Sequence, residues 1–191
     1  MKTAQIGIYG LGTMGRALAL NMAEHGIVTA VANRETDWID PFVEGASHLG
    51  ENLLPAYDLQ SFVARLASPR IVLFMIPSGK PMDQMIDAAT PLLEPGDTII
   101  DCSNEFYDAS RVRGNFCKSR DIEYLGVGMS GGARGALYGP AIMVGGKRDT
   151  FNAHKEFFDS FCENVIYVDQ QYDSGHFVKM VHNGIEYGML Q

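Results

Sequence analysis

The chain has 191 residues, 46% of them hydrophobic and 20% charged, enough apolar material for a packed core and too much for an intrinsically disordered chain. Fifteen Lys and Arg against 23 Asp and Glu give a net charge of −8. That balance opposes nucleic-acid tracking and binding to anionic membrane surfaces, since both need a basic face. The amino terminus, Met1-Lys2-Thr3-Ala4-Gln5, lacks the apolar segment of a signal peptide, and Ile71 to Ile76 is far too short to span a bilayer. Cys102, Cys117 and Cys162 have no CxxC spacing, so three reduced thiols and a cytoplasmic location are expected.

In chain order, Ala4 to Tyr9 reads as a strand running into Gly10-Leu11-Gly12-Thr13-Met14-Gly15. A helix with Leu18, Ala19 and Met22 on one side follows, stopped by Gly26, and Ile27 to Ala32 is a second buried strand. The first thirty-odd residues therefore spell a βαβ unit. Ser61 to Ala67 predicts a helix, Arg70 to Ile76 a strand, Pro81 to Leu93 a helix and Asp97 to Cys102 a strand. Tyr107 to Arg120 predicts a helix and Ile122 to Val127 a strand. Ala141 to Val144, Thr150 to Cys162 and Val165 to Val168 add strand, helix and strand. This alternation implies an α/β fold, a doubly wound, mostly parallel Rossmann-like sheet covered on both faces. A last helix from Ser174 is still running at Gln191. The expected division is a dinucleotide-binding domain over 1–173 and, over 174–191, the start of a helical domain that has been cut off.

Gly10-x-Gly12-x-x-Gly15 between a strand and a helix is a strong dinucleotide signal. The first glycine permits the tight turn, the second admits a pyrophosphate, and the third lets the helix pack closely. At the tip of the second strand stand Asn33, Arg34 and Glu35. An uncharged Asn does not repel a 2′-phosphate and Arg can grip it with two donors, so NADP is favoured over NAD. Glu35 opposes that preference, either by repelling the phosphate or by neutralising Arg34.

On the last helix, at about 100° per residue, Lys179, His182, Asn183, Glu186 and Tyr187 share an arc of roughly 140°. Base, acid and hydroxyl binders stand there together. Phe177, Val181, Gly184 and Gly188 lie opposite, and two helical glycines at about 1 kcal/mol each suggest close packing against a neighbour. The run Gly126-Val127-Gly128-Met129-Ser130-Gly131-Gly132 reads as a connection exposing backbone N–H groups to a substrate carboxylate or hydroxyl. Asn104 lies just past a strand end, where parallel sheets place their ligands.

Taken together, Gly10 to Gly15, Asn33-Arg34, Asp101-Cys102-Ser103-Asn104, Met129 to Gly132, Tyr138-Gly139-Pro140 and Gly175 through Gln191 resemble the decarboxylating 6-phosphogluconate dehydrogenase family. The segment GHFVKMVHNGIEYG is the most specific of these. By that resemblance Lys179 is the general base for the substrate C3 hydroxyl, and Glu186 the acid that protonates C1 of the enediol. Ser130, Gly131, Gly132, Asn104, His182, Asn183 and Tyr187 hold the substrate, a phosphorylated sugar acid, with Tyr187 on its phosphate. Ile76, Pro77, Ser78 and Asn104 join the glycine turn around the coenzyme. No metal is implied, because the keto group is the electron sink.

The sequence departs from the family pattern at Cys102-Ser103 and Ala133-Arg134. Ile76 to Lys80 and Gly188 to Gln191 resemble shorter bacterial members, some of which prefer NAD. In the family a large helical domain follows, so nucleotide binding with weak or no turnover is expected of this chain alone. Self-association through the apolar side of the last helix is expected as well. A nucleotide-binding module without catalysis, or a dehydrogenase of another β-hydroxyacid, is the competing reading.

Overall fold

The computed structural model describes residues 2–189. Leu190 and Gln191, over which the last helix is expected to continue, lie outside them. Eight strands form one sheet: β1 (Ile6–Tyr9), β2 (Thr29–Ala32), β3 (Leu53–Pro55), β4 (Ile71–Phe74), β5 (Thr98–Asp101), β6 (Glu123–Ser130), β7 (Ala141–Gly146) and β8 (Asn164–Asp169). Their order is β3-β2-β1-β4-β5-β6-β7-β8. Every neighbouring pair is parallel except β6–β7, which is antiparallel. The helices are α1 (Thr13–Glu24), α2 (Ile39–Gly45), α3 (Leu59–Ala64), α4 (Lys80–Ala89), α5 (Tyr107–Lys118), α6 (Gly132–Tyr138), α7 (Arg148–Asp159) and α8 (Ser174–Met189).

Two apolar clusters hold the sheet, one on each face. Ile6, Ile8, Leu18, Met22, Leu73 and Ile100 belong to one; Phe62, Val72, Phe74, Met82 and Ile99 belong to the other. The central strands β1, β4 and β5 alternate between these clusters, which is why they read as continuous apolar runs rather than as a polar–apolar alternation. Each fully buried Leu, Ile or Phe contributes about 1.5–3 kcal/mol of transfer free energy. Among the described residues no helix is long and apolar enough to cross a membrane.

The structure differs from the sequence reading in several places. Residues 36–55 hold two 3₁₀ turns, α2 and the edge strand β3, none of them expected. Pro41 sits in the first turn of α2, where its missing N–H breaks no helical bond. The strand expected to end at Val127 runs on to Ser130, because each residue from Leu125 to Ser130 is paired with β7. Gly126 and Gly128 are therefore strand residues rather than part of a connection exposing N–H groups to a substrate carboxylate or hydroxyl. Beyond them, Gly132–Tyr138 coils into α6, which packs on α1.

The glycines on β6 serve α8 instead. A Cβ on Gly128 would meet Lys179 Cβ at 2.5 Å and the Gly175 carbonyl at 2.6 Å, and one on Gly126 would strike the Tyr172 carbonyl. Gly175 in turn rests against the backbone of Gly126 and Met143. The first turn of α8 thus lies directly on the β6–β7 backbone, with Gly175 and His176 buried. Further along, the helix leaves the sheet. Gly184 and Gly188 have open space where a Cβ would stand, so the close packing expected of them is absent among the described residues.

Candidate active site

The carboxyl ends of β1, β4, β5 and β6 converge with α8 on a cleft of about 920 Å³. Gly12, Thr13, Met14 and Gly15 form one wall, and Lys179, His182, Asn183, Glu186 and Tyr187 form the opposite one. Asn104, Ser130, Gly131 and Gly132 lie between, with Met75, Ile76, Cys102, Ser103 and Met129 completing the lining. A smaller cleft of about 410 Å³ continues beyond the glycine turn, bordered by Gly10, Asn33, Arg34, Glu35, Ile76 and Pro77. Trp38 and Met85, which the sequence reading missed, also border it. Trp38, the last residue of the 3₁₀ turn before α2, is half exposed, and the Arg16 guanidinium lies 5.2 Å from its ring centre.

Two expected coenzyme residues line neither cleft. Leu11 is fully buried and its N–H donates to Asn33 Oδ1 at 2.8 Å, so it serves the core and the turn. Ser78 lies on the approach to α4, outside both linings. Asn33 acts through its neighbours: it fixes Leu11 and donates through Nδ2 to the Glu35 carboxylate at 3.1 Å. Arg34 donates through Nε to Glu35 Oε1 at 2.7 Å. That Arg34 hydrogen bond is the main reason the Glu35 carboxyl is held below its ordinary value.

The glycine turn fits a dinucleotide. Gly10 has φ +115°, and a Cβ there would collide with the Met75 carbonyl. A Cβ on Gly15 would be driven into the Gly10 carbonyl, so α1 begins in contact with the end of β1. Gly12, by contrast, has nothing within 4 Å of a Cβ position. That empty space opens on the amino end of α1, where no side chain caps the helix. Free N–H groups and the positive end of the helix dipole face the cleft, the arrangement that holds a diphosphate.

Across the cleft, Lys179 Nζ donates to Ser130 Oγ at 3.2 Å. Burial lowers the Lys179 pKa, and the Glu186 carboxylate acts in the opposite direction. An ammonium in such a place releases its proton more readily than that of a surface lysine. His182 Nδ1 stands 3.6 Å from Glu186 Oε2, one helical turn on, and both are exposed. Burial pushes the Cys102 thiol well above its ordinary value, which disfavours the thiolate.

A βαβ glycine turn, an uncapped helix end, and a cleft at the carboxyl edge of a parallel sheet define a Rossmann-type dinucleotide-binding unit. Residues 5–169 match the family model described as the NAD binding domain of 6-phosphogluconate dehydrogenase, and the chain belongs to that family. It is 43% identical to the decarboxylating 6-phosphogluconate dehydrogenase of Bacillus licheniformis over 192 residues, 97% of this chain and 40% of that protein. It is 42% identical, with the same coverage, to the enzyme of Bacillus subtilis (strain 168) named NAD(+)-dependent. A solved 6-phosphogluconate dehydrogenase of Plasmodium falciparum, described in apo form and with NADP+ or 6-phosphogluconate, superposes with a TM-score of 0.91 at 35% identity. That match covers 96% of this chain and 40% of the other. The chain thus spans about 40% of the length of the relatives it matches.

Proposed function

We propose that this chain is the coenzyme-binding part of an NADP-dependent dehydrogenase that converts 6-phosphogluconate to ribulose 5-phosphate and carbon dioxide. The observation that carries this reading is the half-buried Lys179, hydrogen-bonded to Ser130 and facing the glycine turn across one cleft. The wall of Gly10, Gly12, Thr13, Met14 and Gly15 would hold the diphosphate, Arg34 the 2′-phosphate, and Ile76 and Pro77 the far side of the coenzyme. When bound, the nicotinamide supplies the acceptor for the C3 hydride.

Neutral Lys179 takes the proton of the C3 hydroxyl, with Ser130 fixing its amine. The resulting ammonium donates to the new C3 carbonyl oxygen, which draws in the electron pair released as the C1 carboxylate leaves as carbon dioxide. Glu186 then delivers a proton to C1 of the enediol. Asn104, Gly131, Gly132, His182 and Asn183 orient the sugar acid, and Tyr187 meets its phosphate.

In this reading residues 1–173 are the nucleotide domain and 174–191 open a helical domain. The chain alone binds nucleotide and turns over weakly or not at all. Phe177, Val181, Ile185 and Met189 are exposed along α8 and would drive self-association. Calorimetric titration with NADP and NAD, with and without 6-phosphogluconate, tests the reading. Nucleotide affinity that tightens with the sugar acid supports it; absence of nucleotide binding overturns it.

A second reading, NAD as the coenzyme, is favoured by one observation. The Arg34 guanidinium is already engaged by Glu35, which offers a carboxylate rather than a free cation at the strand end. The same titration decides between the two.

A further inference from the structure

Beneath the cleft lies an ionic cluster, centred on a buried arginine, that the proposed reaction does not use. Arg113 on α5 is 4% exposed and faces three carboxylates. It donates through Nε to Asp83 Oδ1 at 2.8 Å, and through Nη1 to Glu105 Oε2 at 2.6 Å and Asp101 Oδ2 at 3.2 Å. Its Nη2 donates to the Gly79 carbonyl at 3.2 Å. Glu105 takes the Gly79 N–H on Oε2 at 2.8 Å and the Phe106 N–H on Oε1 at 2.9 Å. Gly79 is therefore gripped by both its N–H and its carbonyl. Its φ of +75° and its place as the residue before α4 make it the point from which Ile76-Pro77-Ser78 hangs.

The other side of the cluster is fixed as firmly. Asp101 is fully buried, accepting Ser103 N–H at 3.0 Å, Ser103 Oγ at 2.6 Å and Tyr124 OH at 2.8 Å. Asn104 is thus held between Ser103 and Glu105, both anchored in the same cluster. The two chain segments it joins line the cleft from different strands: Met75 and Ile76 follow β4, and Cys102 to Asn104 follow β5.

We propose that Glu105 and Arg113 are positioning residues that lock the 76–79 loop to the 102–106 segment, so that this end of the cleft is shaped before any ligand enters. The inference rests on the nucleotide-binding reading above, because what it preforms is the coenzyme wall and the Asn104 position. Groups ordered in advance lose less freedom on binding, which is how a residue that never touches the ligand raises affinity.

The test is made on the whole chain. In the free protein, hydrogen exchange should show the Gly79 and Phe106 amides slowed at least about 100-fold relative to an unfolded peptide, although both lie outside strand ladders. Glu105→Gln keeps an acceptor but weakens the Arg113 pair, and Glu105→Ala removes both. In Glu105→Ala these amides should exchange fast and the affinity for NADP and NAD should fall by the same factor, about five- to tenfold. Glu105→Gln should recover most of that loss. A merely structural role would lower the melting temperature and leave the affinity of the folded protein unchanged. Unprotected Gly79 and Phe106 amides in the wild type would overturn the lock. So would a Glu105→Ala affinity equal to wild type. Failure of the wild type to bind either nucleotide would instead strike the functional reading, and the exchange measurement would still decide the lock.

Discussion

The Lys179 amine nitrogen stands 3.2 Å from the Ser130 hydroxyl oxygen, joining the second turn of α8 to the last residue of β6. This contact sets the cleft-wall cation Lys179 beside a neutral partner, in a place where burial disfavours its charge. Removing the opposing Glu186 carboxylate should lower the Lys179 pKa further. With the lysines carrying ¹³C-methyl labels, NMR titration should find Lys179 releasing its proton at lower pH than surface lysines, and earlier still in Glu186→Gln. An unshifted Lys179 resonance would leave it without the property a base needs.

The same shift has a stability consequence. Between the lowered folded value and the unfolded value of about 10.4, the unfolded chain binds more protons, so stability rises with pH across that window. Lys179→Met should remove this rise. Urea denaturation of both proteins at several alkaline pH values measures it.

Glycine positions in the turn should separate fold from binding. Gly15→Ala forces a methyl group against the Gly10 carbonyl and should destabilise the protein by about 1–3 kcal/mol. Gly12→Ala meets no protein atom and has an ordinary negative φ, so its melting temperature should stay near wild type. Its Cβ would nevertheless occupy the space facing the α1 amino end, and nucleotide affinity should drop by at least about tenfold. Thermal melts beside nucleotide titrations distinguish the two effects.

At the strand end, Arg34→Ala should weaken NADP by about tenfold and change NAD little, because only the 2′-phosphate needs the guanidinium. Glu35→Gln should move the ratio the other way, by freeing Arg34 and removing a carboxylate from the pocket. Equal losses for both nucleotides in Arg34→Ala would show that Arg34 contacts a part they share.

Glu105 gives a prediction at acid pH. Burial raises its pKa, but the Gly79 amide and Arg113 outweigh burial and leave it below the ordinary value. Its stabilising contribution is therefore present above the unfolded value of about 4.3 and is lost as pH falls through the folded value. Acid unfolding followed by circular dichroism should show a shallower pH dependence in Glu105→Gln than in wild type.

Local pattern made much of this molecule readable. The run from Ala4 through Gly15 to Ala32 has the strand, turn and helix periods in order, and β1, α1 and β2 follow them closely. Residues 36–55 were opaque because Asp, Glu, Gly and Pro interrupt every period there, while the two 3₁₀ turns and the three-residue β3 are too short to leave one. The glycines of β6 were legible as small residues but not in their use: only the approach of α8 makes Gly128 a seat for a helix. Trp38 and the Glu105–Arg113 pair carried no motif. Arg113 lies eight residues beyond Glu105 and thirty beyond Asp83, and nothing in their spacing announces a contact.

By itself, then, the order of residues determined the parallel α/β architecture, the dinucleotide turn and the shared polar face of α8, because each is written in a repeat of two or 3.6 residues or in a turn that only glycine permits. What faces that helix, which loops are locked together and which charges are desolvated were decided by tertiary packing. Those properties depend on distances between segments far apart in the chain, and on the dielectric that burial creates, and neither is encoded in any local window.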